Sequence, residues 1–481
     1  MRASGAHVRQ RFELLSISRR IASGYPMEQR MTRAKRNGLF LVLLSGAFSL
    51  TWGLIISRGV PGGVLDLQGV YYGSQCLLHN CDPYNTGELD AFYKKLGVDD
   101  PTESLQRHQV KVLYVNLPTT FLFIAPLSLL PWKAAAIIWV GLITVTLLLA
   151  TLLMWDIGAA YSTGLSTLIA CILLANSEVV FATGNTAGLV VSLTVIGTWC
   201  FVRQRFVAIG ILCLAAALAI KPHDAGLVWL FFIFAGPMYR RWALRSFVIT
   251  AILGVIAFTW VSCAVPNWMP EILKNLSTIS GPHGLNAPGP NTATSNSAAM
   301  VIDLQAAVSV FSDRPAVYNT VSYVICGTML NLWCIKTLRS QLSQSAVWLG
   351  LATIVPLTIL VTYHRPYDAK LLLLCVPACC SLWSQGHKAC KLAAVLTAAS
   401  ATLTGDIPLA MSVVIYRSLA SSFGGPAQKL LTLFLTQPAP LTLLAVAVFY
   451  LWAYIQLNPS STSLPPSGNR IAVTGGTVTA R

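Results

Sequence analysis

The run Leu39 to Ser57, LFLVLLSGAFSLTWGLIIS, and the stretch soon after it, Val64 to Tyr84, VLDLQGVYYGSQCLLHNCDPY, decide how the rest of the chain is read. The first is uncharged and long enough for a helix to cross a hydrocarbon core of about 30 Å. The second sets a carboxylate, Asp66, a few residues beyond that crossing. In a soluble loop Asp66 would be an ordinary solvated acid; at a membrane face it becomes a candidate for chemistry.

Composition settles the setting. The chain has 481 residues, 55% hydrophobic and only 10% charged, with a mean hydropathy of +0.64. No single soluble core hides that much apolar surface, so the expected class is an all-α polytopic membrane protein. The formal charge of +16 lies in short clusters between apolar runs, a distribution that fits loop retention and anionic lipid headgroups and excludes nucleic acid as a partner. The twelve cysteines are mostly scattered through apolar segments without zinc spacing. Cys76 and Cys81 stand together, and a disulfide there is open.

Residues 1–38 carry arginines and lysines against Glu13 and Glu28 alone, which predicts a cytoplasmic tail; Met27 and Met31 are alternative starts. The first apolar run reads as a signal anchor. The long polar stretch 58–115 then lies outside, with seven of the seventeen acids, and Asp66 to His79 reads as a short interfacial helix with Asp66 at its start. Further apolar runs to Leu457 predict about eleven to thirteen crossings, with a second outer loop at 266–315 and a disordered tail at 458–481. Putting Arg203, Arg240, Lys336 and Lys388 on the cytoplasmic side requires that one run between Asn116 and Val202 fails to cross. Gly164 to Ser177 is the expected re-entrant segment, and every acid except Glu13 and Glu28 then falls outside.

Two hairpins have arms too short to carry charged tips clear of a bilayer. One turns at Lys221, Pro222, His223 and Asp224; the other at Tyr363, His364, Arg365, Pro366, Tyr367 and Asp368. Ionisable groups drawn below a membrane surface are costly unless they face water, protein partners or a ligand, so both tips are expected to line an outer polar cavity shared with Asp66. A carboxylate that accepts a proton from an attacking hydroxyl, beside Lys221, His364 and Arg365 holding a departing phosphate, suits group transfer from a lipid-borne phosphate. Tyr72, Asn116, Asn185, His223, Tyr367 and Asp368 are candidate substrate contacts. Plainer roles stay open: Asp66 or Asn185 as a helix cap, Lys221 and Arg365 snorkelling to lipid, Asp368 pairing with Arg365 or Lys370, and the tyrosines as an interfacial belt. Asn275-Leu276-Ser277 matches a glycosylation acceptor, a pattern frequent by chance.

The run from Asp66 to Tyr72 with Asp82-Pro83-Tyr84, the Asn116-Leu117-Pro118 segment ending Leu130-Pro131-Trp132, the Gly184-Asn185 turn and Lys221-Pro222 resemble the glycosyltransferase 87 family. That family belongs to the GT-C-type membrane enzymes and includes polyprenyl-phosphate-mannose-dependent alpha-mannosyltransferases; the likeness runs from about Leu39 to Trp383. The resemblance implies Asp66 as general base, inverting displacement on a polyprenyl-phosphate hexose, a lipid or glycan acceptor, and a bacterial inner-membrane enzyme whose site faces the periplasm. A monomer among membrane lipids is expected. Where many GT-C enzymes carry an acidic pair, this chain reads Asp66-Leu67-Gln68, so no metal and no cofactor is expected. A lipid-linked glycan flippase is the alternative, although the charges gather at outer ends and not at a midplane.

Overall fold

The computed structural model describes residues 32–59, 63–98, 111–281, 284–288, 301–340, 343–386 and 388–456. The basic segment 1–31, the acids Asp99, Asp100 and Glu103, His283, most of the Gly/Pro-rich tract and the carboxyl tail lie outside the described residues. Among the described residues the chain is helical, with no strand.

Helix α1 (Arg33–Arg58) comes first among the described elements. It is followed by α2 (Leu65–Leu78), α3 (Thr86–Lys95), α4 (Pro118–Ser128) and α5 (Trp132–Ala159). Next come α6 (Thr163–Ala175), α7 (Glu178–Thr183), α8 (Thr186–Val202), α9 (Val207–Ile220), α10 (Pro222–Phe234) and α11 (Pro237–Ala264). The later half holds α12 (Trp268–Ser280), α13 (Leu304–Ser309), α14 (Pro315–Arg339), α15 (Gln344–Val361), a 3-10 segment (Pro366–Cys375) and α16 (Val376–Ser384). It closes with α17 (Lys388–Leu403), α18 (Asp406–Leu419), α19 (Gly425–Thr436) and α20 (Pro438–Gln456).

Among the described residues six spans are long and apolar enough to cross a membrane: α1, α5, the pair Thr163–Thr183, α11, α14 and α20; counting the bent pair α17 and α18 makes seven. Helices α4, α8, α9 and α10 are apolar but short. The protein is therefore an all-α polytopic membrane protein, as composition requires.

Close glycine contacts give the direction of the first passes. Gly38 lies against Thr167 and Trp155, Gly46 against Leu148 and Leu174, and Gly53 against the carbonyl of Glu178 and the side chain of Phe181. Helices α6 and α7 therefore run parallel to α1 along its whole length, and α5 runs antiparallel. The stretch expected to be re-entrant belongs to a 21-residue span, Thr163–Thr183, long and apolar enough to cross. Helix α4 is the one that does not traverse. Its eleven residues reach about 16 Å, half of a hydrocarbon core. Both of its ends stay at the Asp66 end: Thr119 donates to the carbonyl of Ala219, and Tyr71 donates to Leu130 O at 2.6 Å. The run too short to cross is therefore α4, whereas Gly164 to Ser177 is part of a span of sufficient length.

That exchange reverses α5, and the expectation that all acids but Glu13 and Glu28 share one end is corrected with it. Asp156 pairs with Lys35 at 3.3 Å, at the end opposite Asp66. Arg240 donates to Ile233 O at 2.9 Å, near the end of α10 far from Lys221, and Lys336 to Ile455 O at 3.3 Å, near the last turn of α14.

The hairpin arms are partly as short as expected. Helices α9 and α10 have 14 and 13 residues. The second arm of the other hairpin gains reach because its first ten residues wind as a 3-10 helix, which rises about 2.0 Å per residue; with α16 the arm extends about 33 Å.

The first-loop helix α2 forms where its spacing predicts, and its apolar face packs against protein. Leu67, Val70, Tyr71, Tyr72, Cys76 and Leu77 are all buried, and Gly73 sits against the Tyr114 ring. A Cys76–Cys81 disulfide closes its end, with Cα atoms 4.8 Å apart. Asn275, the apparent glycosylation acceptor, is 1% exposed and donates to the carbonyls of Tyr84 and Tyr114 at 2.8 and 3.1 Å, so it belongs to the core.

Gly184 ends α7 in the left-handed region at φ +63°. A Cβ there would collide with Val64 Cγ1 and meet Leu67 Cβ at 3.2 Å. Gly184→Ala is expected to cost about 1–2 kcal/mol in backbone strain and about 1–3 kcal/mol in overpacking, read as a lower thermal unfolding midpoint in detergent.

Candidate functional site

Asp66 occupies the first turn of α2, behind an N-cap residue, Val64, that is itself left-handed and makes no side-chain cap bond. The capping role is therefore not the one Asp66 plays. Its Oδ2 accepts a hydrogen bond from Asn185 Nδ2 at 2.8 Å. Asn185 also fills the capping role the sequence left open, its Oδ1 accepting from Ala187 N at 2.8 Å at the start of α8. Burial pushes the Asp66 carboxyl above its ordinary value; the Asn185 bond, the Arg365 charge, a Thr183 hydroxyl bond and the Lys221 charge oppose that without cancelling it. Three of the residues predicted to act together, Asp66, Lys221 and Arg365, are thus brought within electrostatic reach of one another.

Lys221 is the residue between α9 and α10, and its ammonium bridges two elements. It lies 2.5 Å from Asp368 Oδ1 and 3.1 Å from Asp224 Oδ2, with the Tyr367 ring centroid 5.5 Å away. Burial alone would favour neutral lysine, but the two carboxylates outweigh it and raise its pKa. Snorkelling is thereby replaced by pairing. Asp368 pairs with Lys221 and not with Arg365 or Lys370 side chains; its Oδ2 accepts instead from Arg365 N at 2.7 Å, capping the 3-10 segment.

Arg365 donates to the hydroxyl of Tyr363, to Leu285 O at 3.1 Å and toward Asn286 Oδ1 at 3.4 Å. The second outer loop therefore reaches the site through 284–288. Loop 301–303 joins as well: Ile302 N donates to His364 O at 3.0 Å. Asp303 caps α13 by accepting from Ala306 N at 2.8 Å, and burial lifts its carboxyl to about 6.

His364 Nδ1 lies 2.8 Å from Thr362 O and 3.1 Å from Ile359 O. Carbonyls only accept, so Nδ1 carries a proton and Nε2 turns toward Asp224 Oδ1 at 3.1 Å. Burial works against a charged ring, yet the Asp224 and Asp368 carboxylates outweigh it and raise the imidazole above its ordinary value. His223, half exposed, puts Nε2 3.5 Å from the same Asp224 oxygen.

Two candidates fall outside this group. Tyr72 is buried in an aromatic cluster with Tyr71, Tyr93 and Trp132. Asn116 offers its backbone carbonyl to the Tyr84 hydroxyl at 2.9 Å. Conversely, Asp224, Tyr363 and Asp303 join the site without having been singled out, and Asn286 reaches it from the 266–315 segment. Asp224 and Tyr363 were legible only as members of the two hairpin tips, and nothing local marked Asp303. Comparison with known proteins adds no relative: no family model, no curated protein and no solved structure matches the chain.

Removing Lys221 would leave two buried carboxylates without their shared cation. Lys221→Ala is expected to destabilise by about 3–5 kcal/mol, and Lys221→Arg by much less; thermal unfolding of the purified variants separates the two.

Proposed function

We propose that this chain is an inverting hexosyltransferase of GT-C type, using a polyprenyl-phosphate sugar, mannose by the family resemblance, and a lipid or glycan acceptor. The observation that carries the reading is Asp66 held by Asn185 opposite the Lys221 and Arg365 cations. Raised basicity suits a carboxylate that takes the acceptor hydroxyl's proton as oxygen attacks the anomeric carbon. The C–O bond to phosphate breaks on the opposite face, and the phosphate leaves with its charge balanced by Lys221 and Arg365, with His364 beside them. Displacement from a beta-phosphoryl donor yields an alpha linkage. Asn185, His223, Tyr367 and Asp368 border the same place; Tyr72 and Asn116 are better suited to supporting it.

The short helices α8, α9, α10, α15, the 3-10 segment with α16, and α17 join the long spans as passes, which keeps the number of crossings within eleven to thirteen. Basic residues near the end of α10 far from Lys221 and in the last turn of α14 support a cytoplasmic amino terminus. The Cys76–Cys81 bridge supports a site on the oxidising, periplasmic side of a bacterial inner membrane. Acting as a monomer stays part of the proposal.

A second reading, a lipid-linked glycan flippase, is favoured by one specific feature. Lys370, 1% exposed and without a hydrogen-bond partner for Nζ among the described residues, lies buried near Glu178 and Asp406. Asp406 begins α18 just after a 77° bend from α17. Buried charge at a broken helix is the mark of a transport site.

Transfer of radiolabelled hexose from a synthetic polyprenyl-phosphate donor by purified protein tests the first reading against carrier movement in liposomes. Asp66→Asn is expected to lower transfer about 10²–10⁴-fold with folding intact; unchanged transfer would sink the assignment. Because the base works deprotonated, the rate should fall as pH drops through a pKa above the ordinary carboxylate range. Asn185→Ala removes a bond that favours the charged carboxylate, so it should move that acid limb of kcat/KM to higher pH.

A further inference from the structure

His223, Asp224 and His364 put one ligand atom each within 4.8 Å of one another. Asp224 divides its two oxygens: Oδ2 faces Lys221 at 3.1 Å, while Oδ1 faces His364 Nε2 at 3.1 Å and His223 Nε2 at 3.5 Å. Both Asp224 oxygens and His364 Nε2 are buried: Oδ2 is held by the Lys221 ammonium, while Oδ1, among the described residues, has only the two imidazoles before it. A carboxylate oxygen buried between two imidazoles needs a proton or a metal ion to join them, because an unsatisfied buried polar group is costly.

We propose that these three side chains bind a divalent transition-metal ion. With metal–ligand bonds of about 2.0–2.2 Å, neighbouring ligand atoms on one ion sit about 3–3.6 Å apart, which is the spacing Asp224 Oδ1 makes with both imidazoles. The outer shell is in place: His364 Nδ1 is anchored on the carbonyls of Thr362 and Ile359, fixing the ring with Nε2 presented inward. Two imidazoles with one carboxylate select an ion of the zinc type over magnesium or calcium, which prefer an all-oxygen shell. His223, with a side chain 40% exposed, leaves one side of the site open to an oxygen ligand. Charge favours the ion as well. Asp224, Asp368, Asp66 and Asp303 gather around Lys221, Arg365 and His364, and a divalent cation replacing the Nε2 proton offsets the acidic excess. Proximity of Lys221 is compatible because it uses the other Asp224 oxygen. The inference rests on this geometry and not on the transferase reading.

The test uses the full chain in detergent, stripped with chelator and titrated with Co²⁺ while its visible absorption is recorded. One equivalent per chain is expected, with at least tenfold weaker binding in His223→Ala, whose half-exposed side chain is not needed for folding. His223→Cys should keep the ion and gain a thiolate-to-cobalt charge-transfer band, a signature that a merely structural histidine would not produce. Failure of the wild type to bind stoichiometrically, or equal binding by His223→Ala, would overturn the site and leave His364 as a doubly protonated ring facing Asp224. Loss of hexose transfer with metal binding retained would count against the transferase and not against this site.

Discussion

The ammonium of Lys221, shared between Asp224 on its own hairpin and Asp368 on the other, is the constraint from which the rest of the site follows. Isolated, each of these charges would be expelled from the interior or neutralised. Together they allow two helix hairpins to turn well inside the bundle. Once Lys221 is fixed, Asp368 can cap the 3-10 segment through Arg365 N, His364 is delivered to Asp224, and the Arg365 side chain is free to reach Leu285 and Asn286.

The opposite wall is built by close backbone approach and not by charge. Gly184 lets α7 end against Val64 and Leu67, which places Asn185 within reach of Asp66 and allows the Trp139 indole to donate to Gly184 O at 2.8 Å. Helix α2 is held by the Tyr71 and Gln75 bonds to α4 and its following turn, and the Cys76–Cys81 bridge closes its far end. A helix wedged in this way cannot drift on the bilayer surface, so Asp66 keeps a fixed bearing on the cations. Helix α4 contributes by failing to traverse: it stays at the site end and supports both α2 and the top of α9.

Much of this was legible as pattern. Short arms around Lys221 and around His364-Arg365 marked both tips, because charge at the end of an insufficient apolar run has few places to go. The Gly184-Asn185 turn and the Cys76, Cys81 pair were visible as local signals. Partners were not: Asp368 could equally have met Arg365 or Lys370, and Asp303 and Asn286 come from a segment far off in sequence. Tyr72 looked like a site residue from its place in α2, yet the helix turns it toward Trp132 and Tyr93.

The sequence by itself determined that the chain lives in a membrane, that it is helical, and that its acids and bases concentrate at helix ends, since apolar run length and charge spacing are one-dimensional quantities. Tertiary structure alone decided which run crosses. Gly164 to Ser177 continues through α7 into a span long enough to cross because Gly38, Gly46 and Gly53 open a groove along α1, whereas Pro118–Ser128 stays at one end, tied to Ala219 and Tyr71. It also decided which carboxylate holds which cation, because that depends on how closely separate helices approach, and no spacing along the chain encodes the distance between them.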